Sequence, residues 1–162
     1  MRGVRKLFVG FIAGTGLIIM GCGESVGPFG LTLDPAEVTL ARGTENQAGD
    51  VTETFADFDI LIDCLDNRGD FFVELSAAGV PANVTIDFIP SGIPGVAGGL
   101  VNCASGGASD PAPTTVEVGL ATPGEYQITI TASTFENQDA IISADPLMTE
   151  TAILTLTVTP TP

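Results

Sequence analysis

The sequence runs to 162 residues with 20 carboxylates, 5 basic residues, no histidine and no tryptophan, giving a formal net charge of −15 at pH 7. So acidic a surface repels phosphate backbones, which excludes nucleic acid as a partner, and the lack of histidine withholds the commonest general base and metal ligand. With 44% apolar residues, the chain still has the side chains to bury one core, unlike a disordered acidic tail.

Three of the five basic residues, Arg2, Arg5 and Lys6, precede an apolar run from Leu7 to Met20. A basic segment followed by an apolar one is the pattern of a secretory signal, and the run is shorter than the roughly 20 residues a membrane-spanning helix needs. It closes as Leu17-Ile18-Ile19-Met20-Gly21-Cys22. That ending resembles the lipobox of bacterial lipoproteins, with Ile19 at −3, Gly21 at −1 and Cys22 as the residue that becomes lipidated. The resemblance implies that residues 1–21 are a signal peptide that is removed. It also implies that Cys22 carries a diacylglyceryl group on sulfur and often a palmitate-type acyl chain on its new amino terminus. Two or more such chains hold a protein stably on a bilayer, at about 0.8 kcal/mol per buried methylene. Gly23 stands where a retention signal would place Asp, which in a Gram-negative cell resembles sorting to the outer membrane. Residues 22–30 then read as a short tether, since the eight residues after Cys22 extend to at most about 27 Å.

Without the signal, Arg42 and Arg68 alone face all 20 carboxylates, so the mature chain has a net charge of −18. Self-repulsion of that size costs stability and is relieved by salt or bound cations.

From Leu31 onward the apolar residues recur with a period of two, the pattern of half-buried strands. Leu31 and Leu33 begin a strand that Pro35 splits before Val38 and Leu40 resume it. Residues 43–50 read as a polar loop. Phe58, Ile60, Ile62 and Cys64 face inward on the next strand, opposite Asp57, Asp59, Leu61 and Asp63. A turn at Asp66-Asn67-Arg68-Gly69 leads to Phe71, Val73 and Leu75, and Gly79-Val80-Pro81 leads to Val84, Ile86 and Phe88. Residues 91–113, rich in Gly, Ser, Pro and Ala, read as a long loop carrying Cys103. Val116, Val118 and Leu120 form a further strand, and Pro123-Gly124 turns the chain into Tyr126, Ile128 and Ile130. A second loop over residues 134–147 precedes a closing strand through Ala152, Leu154, Leu156 and Val158.

Short alternating strands separated by turn signals argue for an antiparallel sandwich. Three stretches give this a family likeness. Gly79-Val80-Pro81-Ala82-Asn83-Val84-Thr85 with Phe88-Ile89-Pro90, Pro123 through Ile130, and Thr155 through Val158 resemble segments of bacterial Ig-like modules. The resemblance implies an all-β, Ig-like β-sandwich of about seven strands over residues 31–160. It also implies a tyrosine corner in which the Tyr126 hydroxyl bonds back to the chain. The chain departs from antibody domains in lacking their inter-sheet disulfide and in its enlarged loops.

Candidate chemistry is sparse. Cys64 and Cys103 are expected to pair, because disulfides persist outside the cytoplasm; two buried thiols are the alternative. Asp63, Asp66, Asn67 and Asp70 gather oxygens at one turn, as a Ca²⁺ site requires, although the same residue types are ordinary turn formers. The loop bearing Phe135, Ile141 and Ile142 is a candidate binding surface, the alternative being that its isoleucines cover the end of the sandwich. No catalytic residue is assigned, since Asp57 and Asp59 on one strand face are a wet surface before they are an acid pair. The expectation is a non-catalytic binding or structural module, lipid-anchored at the cell envelope, with an envelope protein, a glycan or its own copies as partner. The alternatives are a calcium-dependent adhesion or carbohydrate-binding domain, and a filament or surface-layer subunit assembled by strand pairing.

Overall fold

The computed structural model describes residues 28–65, 71–88, 96–101, 110–142 and 144–161. The strands are β1 (Phe29–Asp34), β2 (Glu37–Ala41), β3 (Thr44–Glu45), β4 (Val51–Thr52), β5 (Thr54–Cys64), β6 (Phe71–Ala78), β7 (Val84–Asp87), β8 (Ala97–Val101), β9 (Asp110–Val118), β10 (Gly124–Phe135) and β11 (Met148–Thr159), with one 3-10 turn at Gln138–Ile142. They form a four-stranded sheet in the order β1-β5-β9-β7 and a five-stranded sheet in the order β2-β11-β10-β6-β8, with β3 and β4 as a separate hairpin. The fold is an Ig-like β-sandwich.

The break at Pro35 switches the chain between sheets. β1 pairs antiparallel with β5, and β2 then runs parallel to β11. Proline has no N–H with which to continue the first ladder, and beyond it the Ala36 carbonyl accepts from the Thr155 N–H at 2.9 Å. One split strand thereby ties both sheets together. Among the described residues the β2–β11 pair is the one parallel pairing in an otherwise antiparallel arrangement.

The core lies between the sheets and follows the alternation. Phe58, Ile60, Ile62 and Cys64 of β5, Phe71, Val73 and Leu75 of β6, Val116 and Val118 of β9, Ile128 and Ile130 of β10, and Leu154, Leu156 and Val158 of β11 are all buried in it. Two inward-facing threonines are also buried, and both are satisfied. The Thr114 hydroxyl donates to the Ala112 carbonyl at 3.2 Å, and the Thr134 hydroxyl accepts from the Met148 N–H at 3.1 Å. Burying a hydroxyl without a partner would cost several kcal/mol.

Several boundaries differ from the sequence reading. β1 begins at Phe29, two residues before Leu31, and Phe29 is core. The polar loop expected at 43–50 contains β3, which pairs with β4 just beyond it, and an Asn46 turn closes the hairpin. Within the expected loop at 91–113 lies β8, paired with β6, and β9 already starts at Asp110. Of the two glycines that disguised β8, Gly98 is required there, with φ +130° and a Cβ on it running into the Val73 carbonyl, whereas Gly99 has open space. β9 ends at Val118, so Leu120 lies outside it, and β10 continues to Phe135, so the loop expected at 134–147 is shorter.

Strand direction gives the sandwich two ends. At the root, Phe29 begins β1 opposite Cys64, Phe71 begins β6 opposite Val101, and Phe135 ends β10 opposite Phe72. At the tip, Val84 lies opposite Val118, and Gly124 lies opposite Val158.

Candidate functional site

The root is where the described chain enters the sandwich. The Leu65 N–H donates to the Pro28 carbonyl at 3.0 Å, which holds the incoming chain against the end of β5. Across the gap between sheets the Phe29 and Phe71 rings meet with centroids 5.8 Å apart and planes tilted by 46°, an attractive aromatic geometry. Phe135 has the outward parity of β10, alongside Thr131 and Ser133, and alternation alone would leave it wet. The 3-10 turn packs against β6 and β10, and Phe135 is only 3% exposed. Ile141 of the same turn is buried, whereas Ile142 is 70% exposed. Of the three residues read as a binding loop, only Ile142 is available to a partner; Phe135 and Ile141 close the sandwich end. Leu65, Leu100 and Leu147 are exposed beside them.

The carboxylate turn is only partly within the described residues. Asp63 is exposed on β5, while Asp66, Asn67 and Asp70 lie outside the described residues. Among the described residues no three His, Cys, Asp or Glu side chains are placed to hold a metal ion. Cys64 is buried at the foot of β5; Cys22 and Cys103 lie outside the described residues. The register nevertheless brings the flanking chain together, for Cys64 lies opposite Phe29, Val101 lies opposite Phe71, and the two Phe rings touch.

The two outer faces differ chemically. On the four-stranded sheet Asp34 lies opposite Asp59, and Thr115 lies between Asp57 and Asp87 with its hydroxyl donating to Asp57 Oδ1 at 2.7 Å. Asp57 and Asp59 share a face as expected; Asp57 lies opposite Thr115 of β9, and Asp59 lies between Asp34 of β1 and Pro113 of β9. On the five-stranded sheet the outer residues are mostly hydroxyls: Thr157 opposite Thr39, Thr151 opposite Thr131, and Thr149 opposite Ser133 with oxygens 3.4 Å apart. Gln127 Nε2 donates to Thr155 Oγ1 at 3.2 Å in the same array.

The tip carries the tyrosine corner. The Tyr126 hydroxyl donates to the Thr122 carbonyl at 2.6 Å, the bond back to the chain expected of an Ig-like module. Sequence reasoning missed the exposed leucines of the root, because Leu65 and Leu100 sit at strand ends where alternation says nothing about exposure.

No protein-family model matches the chain, and no curated protein matches it in sequence. Among solved structures it is similar to the ASH/PapD-like domain 7 of human CEP192, at 11% identity over 99% of this chain and 97% of that one, with a TM-score of 0.43. It is also similar to self-complemented MyfA, the major subunit of Myf fimbriae from Yersinia enterocolitica, at 16% identity over 80% of this chain and 98% of that one, with a TM-score of 0.43. A third is AggA, the major subunit of aggregative adherence fimbriae type I from Escherichia coli, at 18% identity over 83% of this chain and 95% of that one, with a TM-score of 0.40.

Proposed function

We propose that this chain is a non-catalytic, extracytoplasmic β-sandwich module held on a membrane by lipid at Cys22, with Cys64 paired to Cys103 at its root. The observation that carries the reading is the hydrogen bond from Leu65 to Pro28. It fixes the start of the folded domain six residues from Cys22, so the sandwich begins immediately behind the anchor with no room for another folded unit. The root register supports the disulfide, since Val101, two residues before Cys103, lies in the strand pair whose Phe71 ring meets the partner of Cys64. Binding would fall to the outer faces: rigid strands present a carboxylate array on one side and a hydroxyl array on the other. Mass spectrometry of the mature protein tests the anchor. Thioether-linked diacylglycerol at residue 22 is the expected result, and Cys22→Ser should move the protein from the membrane to the soluble fraction. An unmodified thiol at an amino-terminal Cys22 ends the reading.

A second reading, assembly by strand pairing, has its own observation. β8 is one of the two edge strands of the five-stranded sheet, the other being β2, and its five residues Ala97–Val101 include no charge and no proline, the devices that normally blunt an edge. Concentration-dependent light scattering that Leu100→Lys abolishes would support it; a monomer at all concentrations would remove it. The calcium alternative keeps Asp63 as its one described member. A melting temperature unchanged by millimolar Ca²⁺ would sink it, because a ion bound only by the folded state raises stability.

A further inference from the structure

We propose that the root of the sandwich is a membrane-docking surface, seated on the same bilayer that holds Cys22 and contacting the boundary between headgroups and acyl chains. The inference rests on the lipid-anchor reading and adds to it an orientation and a contact. Its first support is reach. From Cys22 to Pro28 the chain takes six residue steps, which extend to at most about 22 Å. Pro28 is itself bonded to the root through Leu65, so the root is the end that must lie nearest the lipid.

Its second support is where the exposed apolar residues sit. Leu65, Leu100, Ile142 and Leu147 all belong to the root, with Ile142 at 70% and Leu65 at 62% exposure. Leu65 follows β5, Leu100 is the penultimate residue of β8, Ile142 ends the 3-10 turn, and Leu147 precedes β11, where its N–H donates to the Thr134 carbonyl at 2.8 Å. Two different connections, β5–β6 with Leu65 and β10–β11 with Ile142 and Leu147, and the end of β8 therefore place exposed aliphatic side chains at the same pole. Among the described residues, the other exposed large apolar ones are scattered: Val51 on the hairpin, Phe55 near the tip of the four-stranded sheet and Ile153 amid the hydroxyl array.

Charge decides which bilayer suits this surface. Asp63, Glu136 and Asp145 are exposed around the leucines, so an anionic headgroup layer repels the root and a zwitterionic one does not. Aliphatic side chains flanked by carboxylates enter shallowly, at the headgroup boundary, rather than spanning.

The absence of tryptophan from the sequence makes a clean experiment possible. The lipidated protein carrying either Ile142→Trp or Phe55→Trp is reconstituted on phosphatidylcholine vesicles brominated near the headgroup, and tryptophan quenching is read. Quenching at least about twofold deeper for the root reporter than for the tip reporter, reduced when phosphatidylglycerol replaces half the lipid, is the expected result. In the wild-type protein, backbone amide exchange over residues 138–142 should slow on vesicles, which checks the contact without a substitution. Equal quenching of the two reporters, with co-flotation intact, overturns docking and leaves the anchor standing. Failure of the protein to float with vesicles removes the anchor and docking together. A blue shift of the Ile142→Trp reporter that follows protein concentration without vesicles gives the surface to a second copy, and also overturns the proposal.

Discussion

The two ends of this sandwich are closed by different forces. The tip is held by hydrogen bonds between loops: Gly43 N–H to the Gly119 carbonyl at 2.8 Å, Gly119 N–H to the Asn83 carbonyl at 2.8 Å, and the Tyr126 hydroxyl to the Thr122 carbonyl at 2.6 Å. The root is held by apolar surface: the Phe29–Phe71 contact, and Phe135 packed beneath the 3-10 turn. A hydrogen bond contributes about 1 kcal/mol net because water competes for both partners, whereas an aromatic side chain withdrawn from water contributes several times as much. The root should therefore dominate the stability of the end regions.

Substitution at the root is where that contrast would break most visibly. Phe71→Ala leaves a cavity beneath Phe29 and should destabilise the protein by about 3–5 kcal/mol, read as a lower urea midpoint with an unchanged slope. A loss near 1 kcal/mol would mean that the root collapses around the vacancy and that the contrast is overstated. Next comes the proposed Cys64–Cys103 bridge, which in the chain-entropy model constrains the unfolded chain by about 4 kcal/mol. A thermal melt repeated with reductant should show the loss, and peptide mapping without reductant should recover the two cysteines on one linked pair of peptides. An unchanged melt under reductant would discard the bridge.

At the tip the effects should be smaller. Tyr126→Phe keeps the ring, which packs near Gly124, and removes only the hydroxyl bond, so it should cost about 1 kcal/mol. A cost comparable to that of Phe71→Ala would show that the corner organises the whole tip rather than closing one turn.

The tip was legible in the sequence; at the root the inward Cys64 and Phe71 were too, but the burial of Phe135 and the strand β8 were not. Strand and face followed from alternation wherever it was unbroken, as in Phe58, Ile60 and Ile62 or Leu154, Leu156 and Val158. The Tyr126 bond followed from a local motif, because its acceptor is only four residues away. The root depends on contacts distant in sequence. Phe135 stands on the outward parity of β10 and is nevertheless buried, at the end of a strand against which the later 3-10 turn packs, which no periodicity encodes. β8 was hidden for the opposite reason. Its Gly98 and Gly99 read as loop, yet the close approach to Val73 is what excludes a side chain at Gly98. The candidate carboxylate turn was legible as a cluster of oxygens and no more, since ligand geometry is a property of the folded turn.

The smallest effect sharpens the comparison by separating local from global stability. Asn46 Oδ1 accepts from the Ala48 N–H at 2.8 Å and from the Asp50 N–H at 2.9 Å, closing the β3–β4 hairpin at an exposed site. Two such bonds suggest a loss of about 1–2 kcal/mol by simple counting. The hairpin, however, is a separate two-stranded unit that buries no large side chain, and a two-stranded hairpin is marginal on its own. It can open without the sandwich unfolding, so the bonds bear on that local equilibrium. Asn46→Ala should therefore leave the global urea midpoint within about 0.5 kcal/mol of the parent while the Asp50 amide exchanges faster. If the global midpoint instead falls as far as it does for Tyr126→Phe, the hairpin unfolds with the sandwich, and the tip is a cooperative part of the core rather than a fringe on it.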